Sequence, residues 1–478
     1  MSANPKAVQS DAAQFRLLID GRMTAGASTL EVLNPATGRL LATCARADKA
    51  QLHAAVAAAK KAFPAWSLLS IDARRQALLK MADAFEARAP EFARLLTQEQ
   101  GKPLIHAVEE IGGAVAMIRV FAAMNLPSKV LRETARERIV QLHAPLGVVA
   151  AITPWNFPVM LLMIKLAPAL LAGNTVVAKP APTTPLTTLL FGEVCAELLP
   201  RGVLNIIVDQ NELGGELTQH PDVAKVAFTG STATGRKVMA SVAGSIKRLT
   251  LELGGNDAAI VLDDVDVKAV AAKVFQGAMV NSGQVCLAIK RVYVPEALYE
   301  AMCEELAALA KAAVVGDGLD SATQYGPLQN KAQYEKVKEF LKDAHQHGKV
   351  IAGGSVLERE GYFVAPTIVR DIADDSRLVR EEQFGPVLPV LKYSDINDAI
   401  ARANDTEYGL GGTVWGADLD RAYSVAQRIA SGTVWVNKHL DLPPDIPFAG
   451  AKQSGLGAEM GQEGLEAFTQ VRIINIAK

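Results

Sequence analysis

The stretch Val148-Val149-Ala150-Ala151-Ile152-Thr153-Pro154-Trp155-Asn156-Phe157-Pro158 decides the fold. Its five leading apolar residues have the pattern of a strand buried inside a sheet. Two prolines then bracket a corner, and the apolar residues beyond it predict a helix over 157–172. The alternation continues with strand 175–178, helix 185–199, strands 203–208 and 223–228, and helix 231–243. Strands and helices in this order specify an α/β fold with a mostly parallel, helix-covered sheet. A second α/β pattern begins at Ala258-Ala259-Ile260-Val261-Leu262 and runs past Gly411.

Upstream, the Ala/Leu periodicity predicts helices over 48–63, 71–89, 91–100 and 106–124, with Asp48 as an N-cap. Residues 129–142 and 471–476 alternate apolar and polar side chains, the signature of exposed or edge strands. Such strands are an aggregation liability unless something pairs with them.

The 478 residues exceed what one core supports, so two or more packed units are expected. A formal net charge of −2 implies no nucleic-acid partner. The longest apolar stretch, 159–173, is broken by Lys165 and Pro168 and reads as a buried helix, so no membrane span is expected. Met1-Ser2-Ala3-Asn4-Pro5-Lys6 has no apolar core, and no signal peptide is expected. Four scattered cysteines lack metal or disulfide spacing and fit a reducing, cytoplasmic setting. His345 and His347 fall in a polar stretch and read as solvated, and no metal site is expected.

Three short segments carry chemistry. Asn281-Ser282-Gly283-Gln284-Val285-Cys286 presents a thiol after a glycine-bearing turn, and a thiolate attacks carbonyl carbons. Glu252-Leu253-Gly254-Gly255-Asn256 offers a carboxylate able to activate water. Asn156, at the strand-to-helix corner, is placed to donate to a developing oxyanion. Each also has a plain structural reading: a small buried thiol, a surface charge, a turn-forming amide. No GxGxxG follows a strand. Gly230 and Gly235 around Ser231 would instead let a helix N-terminus approach a pyrophosphate, although Ser231 also suits a simple N-cap.

These segments, with Asn34-Pro35-Ala36-Thr37-Gly38, Lys179-Pro180, Phe228-Thr229-Gly230-Ser231-Thr232, Glu381-Glu382-Gln383-Phe384-Gly385-Pro386 and Pro447-Phe448-Ala449-Gly450-Ala451-Lys452, occur in an order that resembles the aldehyde dehydrogenase superfamily nearly end to end. The resemblance implies a Rossmann-like cofactor domain (1–128 and 146–256), an α/β catalytic domain (257–453) and a small β oligomerisation arm (129–145 and 454–478). It implies a homodimer or homotetramer that oxidises an aldehyde with NAD or NADP. Cys286 would be the nucleophile, Glu252 the base and Asn156 an oxyanion donor, with a thioester on Cys286 between the two half-reactions. Trp155, Lys179, Pro182, Gly230, Ser231, Gln333, Glu382 and Phe384 would hold the nucleotide. Phe157, Leu161, Val285, Leu287, Leu442 and Phe448 would line an apolar pocket suited to an apolar or aromatic aldehyde.

Glu252 implies release of a free acid rather than acyl transfer to coenzyme A. The loop 439–445 lacks the Arg that would mark a phosphorylated substrate. Pro182 stands where the family often has a carboxylate that repels the 2′-phosphate of NADP, which weakens the usual bias toward NAD. Gln210, Ala458 and Gln470 are further departures from the family pattern. Two rival readings are a thiol hydrolase using Cys286 and a non-catalytic structural protein on the same fold.

Overall fold

The computed structural model of the protein describes residues 15–478. The Met1–Lys6 segment lies outside them. The predicted corner is present: strand Val148–Ile152, fully buried, turns at Thr153–Phe157 into helix Pro158–Leu171, whose first residue is a proline with no amide to leave unpaired.

Five parallel strands form the centre of an eight-stranded sheet, in the order Leu204–Ile206, Thr175–Lys179, Val148–Ile152, Val223–Thr229 and Arg248–Glu252. The chain builds outward from Val148–Ile152 in one direction, then returns to lay Val223–Thr229 on its other side. The order reverses at that point, and a crevice opens beyond the carboxyl ends of those two strands. Antiparallel pieces close both edges: Leu17–Ile19 and Arg22–Thr24 on one side, Gly455–Leu456 on the other.

A seven-stranded sheet follows. Asp257–Val261, Ile289–Pro295, Gly411–Trp415, Val387–Tyr393, Thr367–Arg370 and Thr433–Val436 run parallel, and Lys349–Ala352 is antiparallel at one edge. Successive strand residues point to opposite faces. Thus Ala258 and Ile260 pack in one core while Ala259 and Val261 pack in another, and helices cover both faces. Only Leu253–Asn256 separates the last parallel strand of the first sheet from a central strand of the second. The carboxyl edge of one sheet is thereby drawn against the amino edge of the other.

The structure departs from the sequence reading in three places. Residues 129–142 form not one strand but a hairpin, Lys129–Glu133 with Glu137–Pro145, to which Thr469–Ala477 adds in antiparallel register. A Thr-Ala-Arg stretch at 134–136 makes the turn and carried no Gly or Pro to mark it. Gly455–Leu456 belongs to the first sheet, so the three-stranded arm takes its C-terminal strand from 469 onward. The N-terminal strands Ser28–Asn34 and Arg39–Arg46 precede the helices that dominate the first third. The helix Lys49–Ser67 begins where Asp48 predicts, with a reciprocal capping box between Asp48 and Gln51.

One fully buried amide ties the arm to the first sheet. Asn174 Oδ1 accepts from the N–H groups of Leu146 (2.7 Å) and Gly147 (3.0 Å), and its Nδ2 donates to the carbonyls of Ala169 (3.1 Å) and Phe468 (2.9 Å). Asn174→Ala leaves the Leu146 and Gly147 N–H groups and the Phe468 carbonyl without that partner, at ~1–3 kcal/mol each before relaxation, while the Ala169 carbonyl keeps the backbone N–H of residue 174. A net loss of about 3 kcal/mol is expected in urea unfolding, and a change below about 1 kcal/mol would mean that water replaces the amide.

Candidate active site

The crevice at the strand-order reversal is where the chemistry-bearing segments converge. A cavity of about 160 Å³ there is lined from the first sheet by Pro154, Trp155, Thr229, Gly230 and Ser231. Cys286 and the loop holding Glu382 and Phe384 line it from the second sheet. On the other side of Cys286 lies a cavity of about 380 Å³, mostly apolar, which Glu252 also lines. Asn156, Leu161, Thr229 and Cys286 border both cavities. The thiol therefore stands where two separate spaces meet.

Backbone geometry sets Cys286 there. Asn281, Ser282 and Gly283 take left-handed conformations in succession (φ 50°, 55° and 73°), which bends the chain sharply between helix Val267–Met279 and strand Ile289–Pro295. At Gly283 a Cβ would lie 2.3 Å from the Gly385 carbonyl oxygen, so only glycine fits. Gln284, fully buried, ties this turn down through bonds to Asn281, Pro327 and Gln329.

Asn156 is held from several sides. Its carbonyl accepts from Lys102 Nζ (3.0 Å) and Asn281 Nδ2 (3.2 Å), and its own Nδ2 donates to the Gln284 carbonyl at 2.9 Å. One amide hydrogen is thus committed to the turn before Cys286, and the amide's second hydrogen remains for a ligand.

Glu252 ends a central strand, is 4% exposed, and neither carboxylate oxygen has a hydrogen-bond partner among the described residues. Burial, and secondarily Glu459, pushes its carboxyl well above the ordinary range, while Lys165 pulls the other way. Lys165 Nζ bonds Glu459 Oε1 (2.5 Å) and Thr229 Oγ1 (2.6 Å). Lys165 and Glu459 were missed as site residues. The signal was available, since a lysine inside the apolar helix Pro158–Leu171 must find a buried partner. Lys102 and Glu110, paired behind Asn156, were missed in the same way; Glu110 also accepts from the N–H groups of Val159 and Met160.

On the nucleotide side, Ser231 caps helix Thr232–Val242 through the Thr234 N–H at 3.3 Å, leaving the N-terminal amides of that helix at the crevice. Trp155 and Phe384 meet edge to face at 5.3 Å and wall the cavity. Glu382 Oε1 accepts from the Gly255 N–H (3.0 Å). Gln333 lines the same space, but its Nε2 is spent on the carbonyls of Gln383 and Phe384, both at 2.9 Å. Lys336 also lines it. These donors, the aromatic walls and the helix N-terminus fit a nicotinamide dinucleotide. Gly235 serves packing: a Cβ there would strike the Leu253 side chain.

Lys179 and Pro182 do not line this cavity. Lys179 Nζ is 2.5 Å from Asp209 Oδ1, and both side chains are buried. The Lys179 charge that the sequence left open is therefore already neutralised by a carboxylate from the next strand end.

All six expected pocket residues, Phe157, Leu161, Val285, Leu287, Leu442 and Phe448, border the larger cavity. No arginine does. His439 bonds the Leu287 carbonyl at 2.6 Å, and burial pushes its pKa down to about 4. No histidine hydrogen-bonds Cys286 among the described residues, so the hydrolase reading lacks its base. Among the same residues no cluster of three metal-binding side chains occurs, and no helix is long and apolar enough to cross a membrane.

Residues 23–474 match the sequence model of the aldehyde dehydrogenase family. The chain is 39% identical to the phenylacetaldehyde dehydrogenase of Pseudomonas fluorescens, over all of this chain and 99% of that protein. It is 38% identical to a betaine aldehyde dehydrogenase of Rhizobium etli, over all of this chain and 98% of that one. Its fold superposes on the NAD+ complex of an aldehyde dehydrogenase from Bacillus cereus with a TM-score of 0.95, at 36% identity and with 97% and 96% of the two chains covered. An NADP-dependent enzyme of Escherichia coli gives the same TM-score at 36% identity, covering 98% and 99%. The chain belongs to the aldehyde dehydrogenase family.

Gly255 shows how closely the two sheets must approach: a Cβ there would lie 2.6 Å from the Cys286 carbonyl oxygen. Gly255→Ala is expected to lower kcat by ~100-fold, since a displacement of about 1 Å at the reacting groups costs that much. Circular dichroism should show the fold retained. Turnover near the parent value would mean that the nucleophile's turn yields without consequence.

Proposed function

We propose that this chain oxidises an apolar or aromatic aldehyde to the free carboxylic acid, with NAD favoured and NADP also accepted, by covalent catalysis at Cys286. The observation that carries this reading is the position of the thiol between an apolar cavity holding a carboxylate and a crevice at a helix N-terminus. Trp155, Gly230, Ser231, Glu382 and Phe384 would hold the nucleotide in that crevice, and Lys179 and Pro182 would flank its adenosine end. Bound there, the nucleotide supplies the hydride acceptor.

The protein's own steps follow from the geometry. Cys286 Sγ, as the thiolate, bonds to the aldehyde carbon, and the carbonyl oxygen becomes an alkoxide. The second Asn156 amide hydrogen and the Cys286 N–H bind that charge, and each such donor is worth ~100- to 1,000-fold in rate. Loss of hydride leaves a thioester on Sγ. Glu252 takes a proton from water, the water oxygen displaces Sγ, and the acid leaves. A carboxyl held above the ordinary range is a stronger base once ionised but is ionised only at higher pH.

The apolar lining, with Leu161, Ile164, Leu440, Leu442 and Phe448, supports an apolar or aromatic substrate. So does the similarity to a phenylacetaldehyde dehydrogenase. We also propose that 1–128 with 146–256, and 257–453, act as the nucleotide and catalytic units. The arm, 129–145 with the C-terminal strand from 469 onward, would pair subunits into a homodimer or homotetramer. Exposed Val471, Ile473 and Ile476 on the arm support this, because apolar strand residues left in water invite a partner. Free, non-paired cysteines fit a cytoplasmic enzyme.

Cys286→Ala should abolish turnover while nucleotide binding persists. Glu252→Gln should give a burst of reduced nucleotide and then stall, because the thioester forms but is not hydrolysed. In the parent, turnover should rise with pH through a range above that of an ordinary carboxylate. The Gln variant should lose that limb. Steady turnover in either variant overturns its assignment.

The nucleotide preference turns on residues 179, 182 and 209. Asp209 pairs with the Lys179 charge and competes for it, which favours NAD, while Pro182 adds no repulsion against a 2′-phosphate. NADP is expected within ~100-fold of NAD in kcat/KM. Asp209→Asn should raise NADP affinity by freeing the lysine charge, and Pro182→Glu should lower it. Binding titrations of both nucleotides in all three proteins test this. An NAD/NADP ratio unmoved by both substitutions would place the choice elsewhere.

A further inference from the structure

Lys290 is the second residue of strand Ile289–Pro295, four residues after Cys286, and its side chain is 2% exposed. Its ammonium spends its donors on carbonyls of the nucleophile's own turn: Cys286 at 2.6 Å, Val285 at 2.9 Å and Ala288 at 3.4 Å. None of these bonds is to a carboxylate. Glu382 Oε1 stands 3.8 Å away and accepts instead from the Gly255 N–H. A buried cation without a hydrogen-bonded counterion is a poor source of stability. A neutral donor would satisfy carbonyls as well, so the charge calls for another reason.

Two features supply one. The first is directional. A trans peptide is planar, with C=O and N–H pointing opposite ways. Lys290 and the Ala288 N–H together hold the Val285 carbonyl. The Cys286 N–H is thereby turned the other way, and no described protein atom accepts from it. The second is electrostatic. Burial pushes the Cys286 thiol up to about 12, and Lys290 is the group that draws it back, against Glu382, Asp257 and Glu252.

The other charged groups around the turn do not substitute for it. Burial raises Asp257 to about 7 and holds Glu252 high as well, and both are carboxylates, which push the thiol up rather than draw it back. Arg291 points away, to the carbonyls of Asn256 and Ala403. His439 is neutral on the Leu287 carbonyl.

We infer that Lys290 is a positioning residue for the thiol chemistry, one that aims the Cys286 N–H at the reacting oxygen and places a fixed positive charge beneath the nucleophile. This rests on Cys286 being the nucleophile, but its test is separable. The pH profile of Cys286 alkylation by iodoacetamide is measured in nucleotide-free protein, with the label located by mass spectrometry. The other three cysteines are buried. In Lys290→Met the profile should move up by ~1 unit, so that alkylation at a fixed pH near neutral slows ~10-fold. Lys290→Gln, which keeps two donors for the carbonyls, should show the same shift and covers the case in which the Met variant does not fold. Lys290→Arg, which keeps the charge, should stay with the parent.

With an aldehyde, both neutral variants should lose at least ~10-fold in kcat with KM near the parent value, the mark of an interaction made in the transition state. An unmoved alkylation profile in the neutral variants overturns the inference, whatever happens to turnover. Turnover surviving in Cys286→Ala would instead remove the nucleophile, and the two failures are read in different proteins.

Discussion

The Asn156 peptide is the joint on which the site depends. Lys102 and Asn281 bond its carbonyl, and its side chain bonds Gln284, so the corner of the first sheet is locked to a turn that belongs to the second. Asn156 follows a strand of the first sheet and Cys286 precedes a strand of the second, and the Cys286 turn packs on the core of the first. Neither half of the molecule carries the chemistry alone, and the short Leu253–Asn256 link makes their meeting obligatory. A glycine at that link, Gly255, follows from the same demand: the backbone of the Cys286 turn approaches within the space a methyl group would occupy.

Around this joint lie three buried lysines, two paired with carboxylates and one with backbone carbonyls. Lys102 pairs with Glu110 behind the corner, Lys165 with Glu459 beside Glu252, and Lys290 with the carbonyls under the thiol. Desolvating such charges gains little stability even when they are paired. Their value lies in preorganisation: dipoles and charges fixed before substrate arrives need not reorient as charge develops. The high carboxyl of Glu252 and the high thiol of Cys286 are the other side of that arrangement, since a site dry enough to focus electrostatics also resists ionisation.

Much of this was legible in the sequence because it is written in local patterns. Val148–Ile152 could be nothing but a buried strand, Asp48 announced its helix, and Cys286, Glu252 and Asn156 stood in motifs whose order named the family. What was not legible depends on contacts distant along the chain. The Lys179–Asp209 pair forms because two parallel strands end side by side, which no spacing of 30 residues reveals. The hairpin at 134–136 turns without Gly or Pro, and Gly455–Leu456 pairs with a strand some 200 residues earlier. The buried lysines looked like interruptions in apolar segments, and only their partners, supplied by packing, explain them.

The two cavities reach Cys286 from different walls, sharing little more than the thiol and the residues that flank it. An acid formed in the apolar cavity would therefore be bordered mostly by residues that do not line the nucleotide space. Departure of the two products need not follow a sequence dictated by obstruction. Whichever is held more tightly leaves last, so the order of release is a property of affinities, open to change by substitutions in either cavity without rebuilding the other.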